Sequence, residues 1–429
     1  MHDAPNGENS FTMTSWILLA MFVMSLQQFS VYIGGSGVSA NYVYVLLPFL
    51  CWFGIIQRRV VRRREVLDIL AVYTLIYVLG IPGDFQELRT YVDSPIRRFG
   101  SYVVFVFPLI LALVEFKPKD GQLFKKAVIL ASVLYSVRSV MALASVVGTL
   151  GLFALKGALG SQRYGFVLCF GFFIALFSEE VLIRRWVVAQ RVVICSIILI
   201  GLVLTFSRAS LVALAGGFAF LALTSAYHWL RGGRRRSNGG VTRSRIRPAY
   251  VLAVLVPIVA AFFMLQAYFN VDLLEFYGTR FGDLATAQAV QTALSNTNSS
   301  EGYRLYLFTK IMEFVAAHPL IGSSYRGIYL LFDEFRDAGS AHNQYTDIFL
   351  RTGLIGTLLW CLVVYKILRY CSHDRALQIG LVAILIYGSA HETFKESQGS
   401  FIFGMLLSLS YGASLLRRRE RAFAADVPA

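Results

Sequence analysis

Long apolar runs, separated by connections that are alternately rich and poor in arginine and lysine, constrain this chain more than any other feature. A membrane-crossing helix needs roughly 20 mostly apolar residues. Hydropathy gives about twelve such runs, near residues 14–33, 41–57, 66–82, 97–116, 124–147, 164–179, 186–206, 208–229, 249–268, 346–368, 376–391 and 400–416. With 56% hydrophobic residues, 15% charged residues and a mean hydropathy of +0.61, the balance is not that of a soluble domain. The expected fold is all-α: a polytopic membrane protein with about twelve transmembrane helices and one large outer loop containing surface helices. Residues 1–268 then hold nine spans, 269–345 the outer loop, and 346–429 three more spans and a tail. Residues 1–15 are polar and nearly uncharged, and no small-residue cleavage site follows the first run, which does not suit a cleavable leader.

Cytoplasmic loops retain lysine and arginine, so the basic connections set the orientation. One side collects Arg58–Arg64, Lys117–Lys126, Arg184–Arg191, Arg231–Arg247, Lys366–Arg375 and Arg417–Arg421, together 26 of the 40 basic residues. Both termini fall on that side. The formal net charge of +15 is therefore chiefly a topology signal, and 231–247 reads as a cytoplasmic anchor against membrane lipid rather than a nucleic-acid site. The five cysteines have spacings that suit neither a metal site nor a disulfide framework.

The outer face keeps few basic residues, and those it keeps are informative. Arg208 sits between two apolar runs with almost no loop. A charge at that depth facing lipid costs on the order of 3 kcal/mol or more. It either snorkels to the interface or faces a water-filled cavity or an anion. Arg163 reads as a loop residue capping the next span or as an anion ligand. Arg304 reads as part of a solvated helix face or as a binding group. Arg138 lies within a span, where it needs an ionic or carbonyl partner. Arginine suits a diphosphate, because its planar fork makes paired bonds to phosphate oxygens and keeps its charge. The carboxylates of the outer segments are scattered, and no Asp-x-Asp pair indicates a metal. No cofactor is indicated.

Within the outer loop, Leu305, Phe308, Met312 and Val315 fall at helical spacing on one face, as expected for a helix on the membrane surface. His318-Pro319 ends it. Ala341-His342-Asn343 then reads as a helix start, with Asp347 and Arg351 spaced i, i+4 and Gly353 and Gly356 allowing close helix approach. Imidazole titrates near neutrality, so His342 is the natural base for a sugar hydroxyl. Asn343 and Tyr345 are its neighbours, and His391 at the end of a later span is its rival.

Thr205-Phe-Ser-Arg208, the helix ending in His318-Pro-Leu-Ile-Gly322, and His342-Asn343 followed by Gly353-Leu-Ile-Gly356 together resemble the O-antigen ligase and polymerase superfamily. The resemblance covers about residues 200–360. It implies an inner-membrane glycosyltransferase with a periplasmic active site and cytoplasmic termini. Such an enzyme uses an undecaprenyl-diphosphate-linked glycan as donor, and neither a metal nor a nucleotide sugar. For a ligase the acceptor is lipid A–core. Carried onto this chain, His342 is the catalytic histidine and Arg208 and Arg304 the important arginines, with Arg163 on a looser Arg-Tyr match. Polymerases have two large outer loops with an Arg-x10-Gly pattern. Here the corresponding positions are Ile174 and Val315, which points to a ligase. Protein O-oligosaccharyltransferases share the core, and a lipid-linked glycan transporter is the reading from outside the enzyme class.

Overall fold

The computed structural model describes residues 29–33, 36–40, 60–82, 94–116, 118–146, 164–182, 186–205, 207–232, 300–332 and 341–425. Among them the chain is almost wholly helical. The helices are α1 (Arg64–Leu79), α2 (Ser94–Leu111), α3 (Pro118–Val146), α4 (Gly165–Phe177), α5 (Val187–Leu204), α6 (Arg208–Gly232), α7 (Ser300–Ala317), the single turn α8 (Ile328–Leu331), α9 (Gln344–Cys371), α10 (Arg375–Gly388) and α11 (Ser397–Ala425). Nine of them coincide with runs placed by hydropathy. Three segments, Val187–Leu204, Arg208–Tyr227 and Gln344–Cys371, are by length and composition apolar enough to cross a membrane, and α4 and α10 are shorter apolar helices. The expected spans 41–57 and 249–268, most of 14–33, and residues 269–299 and 333–340 of the outer loop lie outside the described residues.

One local departure is informative. The end of the first apolar run is a strand, β1 (Phe29–Ile33), paired antiparallel with β2 (Ser36–Ala40), Ile33 opposite Ser36. Phe-Ser-Val-Tyr-Ile is β-branched or aromatic at four of five places, and Gly34-Gly35 follows it in sequence. That is a hairpin signal, which a hydropathy window averages away.

The chain forms two compact units. The first comprises Met1–Ala127, Tyr277–His373 and Gly388–Ala429, and the second Val128–Phe276 and Asp374–Tyr387. In the first, α2 packs along α11, α9 meets α11 and α1, α1 meets α2, and α7 lies on α9. In the second, α4 packs on α5 and α6. From Gly165 to Leu176 every residue of α4 is buried, as suits a helix apolar on all sides. Small residues bring its neighbours close. A Cβ on Gly171 would stand 2.1 Å from Ser132 Oγ, and one on Gly201 would stand 2.1 Å from Ser136 Oγ. The two serine hydroxyls are bonded to backbone carbonyls, so polar groups at these contacts are satisfied.

Candidate active site at the head of the broken helix

Asn343 starts α9. Its backbone is extended, and its side-chain oxygen accepts from Tyr345 N at 2.9 Å and Thr346 N at 3.2 Å. This meets two of the donors a helix N-terminus leaves unpaired. His342 stands immediately before the cap, half-buried, with φ of 52°. Non-glycine residues rarely adopt that left-handed backbone, though histidine does so more readily than most. Among the described residues the others are Ser324 and Tyr325, in the same unit.

The helix does not run straight on from that head. Gly353 has φ of 60° and ψ of −161°, a region open essentially to glycine alone, so α9 is two helices meeting at a break. In a straight helix Tyr345 and Trp360 would lie about 22 Å apart along the axis. Here their rings are in edge contact at 5.6 Å. The segment after α7 enters the break. Ser323 N donates to Leu350 O at 2.7 Å and Tyr325 N to Arg351 O at 2.9 Å, taking carbonyls that residues 354 and 355 would otherwise use. Leu354 N turns to Pro319 O at 2.9 Å and Ile355 N to Leu320 O at 3.2 Å. Gly353 thus receives the His318–Gly322 turn rather than another helix: a Cβ there would meet Leu320 O at 2.5 Å and Gly322 N at 2.6 Å. Gly356 does face a helix, through Tyr73 of α1, whose hydroxyl donates to Gly356 O at 2.8 Å.

The loop between α10 and α11 closes over the head. Ala341 N donates to Glu392 Oε1 at 3.0 Å, and Gln344 Oε1 accepts from Thr393 N at 3.1 Å, Phe394 N at 2.8 Å and the Thr393 hydroxyl. His391 is half-buried and adjoins Glu392, so both histidines of the sequence analysis flank this one junction. Beneath it lies a group of buried charges. Asp347 and Arg351 pair at 2.7 Å with side chains 3% and 1% exposed, and Lys395 pairs with Glu392 at 3.0 Å. Burial first, and then the charge of Asp347, raise the Glu392 carboxyl above its ordinary value, against the pull of Lys395 and Arg351. Asp347 Oδ1 is buried with no donor on it, and Glu392 stands beside it. A protonated Glu392 can donate there.

That raised value has a consequence for stability. A carboxyl held higher in the folded protein than in the unfolded chain contributes fully below the unfolded value and loses that contribution as pH rises through the folded one. Glu392→Gln removes the titration. Unfolding temperatures in detergent between about pH 4 and about pH 8 should show the advantage of wild type over the variant shrinking toward the alkaline end. Parallel curves would refute the raised value.

Arg304 sits half-buried on α7. Leu307, Ile311 and Val315 of α7 form a core cluster with Ile328, Ala341 and Leu350, with Tyr303, Phe314 and Phe349 packed against it. Arg304 and His342 therefore belong to one packed body. Of the apolar face expected to lie on the membrane surface, Leu305 and Phe308 are exposed, whereas Met312 packs against this cluster and Val315 is part of it. The periodicity has two solutions because α7 is apolar on two sides. His318 ends the helix as expected, exposed, with its ring stacked on Phe314 at 4.6 Å. Arg208 lies on the second unit as the first residue of α6, half-buried behind Ser207, and Arg138 is exposed on α3. Arg163 lies outside the described residues. Tyr345, three residues after His342, is 38% exposed, and the side-chain oxygen of Asn343 is engaged as the cap. Among the described residues no group of three His, Cys, Asp or Glu side chains is placed to hold a metal ion.

Residues 192–361 match the protein-family model described as O-antigen ligase. That segment is similar to the O-antigen ligase family. No curated protein matches the chain. The ligase-family segment begins within α5 and ends in the second half of α9, and it takes in Arg208, Arg304, His342 and both sides of the break. The long apolar helices agree with a membrane setting. Glu392 and Lys395 lie beyond the matched segment. Sequence reasoning passed over both; the available signal was an acidic residue beside His391, just past the end of an apolar run.

Proposed function

We propose that this chain is an O-antigen ligase: it moves a glycan en bloc from undecaprenyl diphosphate to a sugar hydroxyl of lipid A–core at the periplasmic face of the inner membrane. The observation that carries the reading is the shared packing of the Arg304 helix and the capped head bearing His342, within the segment that matches the ligase family. His342 takes the proton of the acceptor hydroxyl. The freed oxygen attacks the anomeric carbon, the bond from that carbon to the diphosphate oxygen breaks, and undecaprenyl diphosphate leaves with the bonding pair. One displacement inverts the anomeric centre. Arg304, with Arg208 and Arg163 assigned by family resemblance, holds the diphosphate and stabilises its growing charge. Tyr345, exposed in the first turn after His342, is available to the acceptor sugar, and Asn343 keeps the helix head in place. His391, adjoining Glu392, is the alternative base. Arg138, exposed on α3, is left without a catalytic part.

The reaction needs no metal or cofactor in this scheme, so purified protein should join donor to acceptor in the presence of a chelator. Loss of transfer on chelation, restored by a divalent cation, would overturn that part of the reading. A polymerase would instead lengthen the lipid-linked glycan. In a strain lacking this protein, long glycan should accumulate on undecaprenol above bare core. Short lipid-linked units in that strain would identify a polymerase.

A further inference from the structure

We infer that Arg351 is a positioning residue, which locks the 319–325 segment into the break of α9 and thereby sets His342 against Arg304. The inference rests on the roles given to those two residues above. Their helices are joined in two ways. The apolar cluster of Leu307, Ile311, Val315, Ile328, Ala341 and Leu350 holds them together, but apolar packing is non-directional and tolerates small rotations. The four backbone bonds of the crossing do set the rotation. That crossing includes Ser324 and Tyr325 in left-handed conformations, which persist only where surrounding structure enforces them.

Arg351 supplies such enforcement from the centre. Its Nε donates to Asp347 Oδ2 at 2.7 Å, and its Nη1 donates to Ser101 Oγ at 3.0 Å and to Tyr325 O at 3.1 Å. One planar guanidinium thus ties the first half of α9, helix α2 and the inserted segment. From α2, Arg98 adds a bond to Ser324 O at 2.6 Å. If Arg351 only balanced the charge of Asp347, the Nε contact alone would suffice. The Nη1 contacts are what a lysine cannot reproduce together with the ion pair.

The experiment follows from that difference. Arg351→Lys keeps the charge and gives up the fork. In reconstituted protein, donor KM should stay within about twofold while kcat falls on the order of 100-fold, the cost of misplacing reacting groups by about an ångström. The double variant Arg351→Met/Asp347→Asn removes both charges and should show the same split. Ser101→Ala, which disturbs no charge, should lower kcat about threefold to tenfold. Independently of activity, hydrogen exchange over 319–326 should quicken about tenfold in the lysine variant, with α11 unchanged. Wild-type kcat in the lysine or double variant, or unchanged exchange over 319–326, would overturn the assignment. Full activity in a His342 variant would instead remove the reading on which it rests, while the exchange measurement would still decide whether Arg351 holds the crossing.

Discussion

Replacing His342 should lower glycan transfer by about 100-fold to 10,000-fold, the usual contribution of a positioned general base. The backbone at this position makes the choice of variant matter. His342 has φ of 52°, where alanine is strained, whereas asparagine accepts the left-handed conformation. His342→Asn therefore removes the base while keeping the chain turn in front of the Asn343 cap, and His342→Ala removes the base with some cost to that turn. Both should lose transfer to a similar degree, and only the alanine variant should lose measurable stability. In cells, undecaprenyl-linked glycan should accumulate and the core should remain bare. Normal ligation by the asparagine variant, with His391 intact, would sink the catalytic assignment and direct attention to His391.

Gly353→Ala should be the most damaging change in the half of the site that touches no substrate. The conformation alone costs about 1–3 kcal/mol for a residue with a side chain. The added carbon would also stand 2.5 Å from Leu320 C and O and 2.6 Å from Gly322 N, and those are backbone atoms that cannot swing aside. Either α9 straightens and expels the 319–325 segment, or the segment shifts with its bonds to Leu350 and Arg351 broken. Transfer should fall on the order of 100-fold or more, with a lowered unfolding temperature in detergent. Gly356→Ala is the useful control. Its carbon would stand 2.2 Å from Thr352 Cβ and 3.1 Å from Tyr73, so it too should lower stability, but it asks for no special backbone and does not meet the 319–325 segment, whose bonds to Leu350 and Arg351 should survive. An alanine at 353 that leaves stability and transfer at wild-type levels would mean that the break is not required.

Much of this architecture was written in local features of the chain. Apolar runs of spanning length set nine helices close to where they are found, because a run's hydropathy depends on its own residues. Asn343 could be read as a helix start, since capping is a contact within four residues. Asp347 and Arg351 could be paired from their i, i+4 spacing, and His318 could be set aside because proline follows it. The strand at Phe29–Ile33 was legible in principle, but its β-branched and aromatic residues and the glycines after them were averaged into a longer apolar window.

The long-range relations could not be read in the same way. Gly353 and Gly356 look equivalent in sequence, as small residues near a helix start. Tertiary structure separates them: one receives a loop in a conformation only glycine adopts, the other lies against Tyr73. The face of α7 that is buried was decided by where Ala341, Ile328 and Leu350 fall, residues up to about 40 positions away, because α7 is apolar on both candidate sides. Glu392 reached the site through a loop fifty-one residues from Ala341. By itself the sequence determined the apolar helical class, the approximate places of nine helices and the start of α9, which depend on composition or short spacing, and it offered His342, Arg304 and Arg208 as candidates. Only the tertiary structure decided that α9 is broken, that the His318–Gly322 turn fills the break, and that Glu392 and Arg351 hold the head bearing His342. Those contacts join segments far apart in the chain, and nothing in the local chemistry of either partner specifies the other.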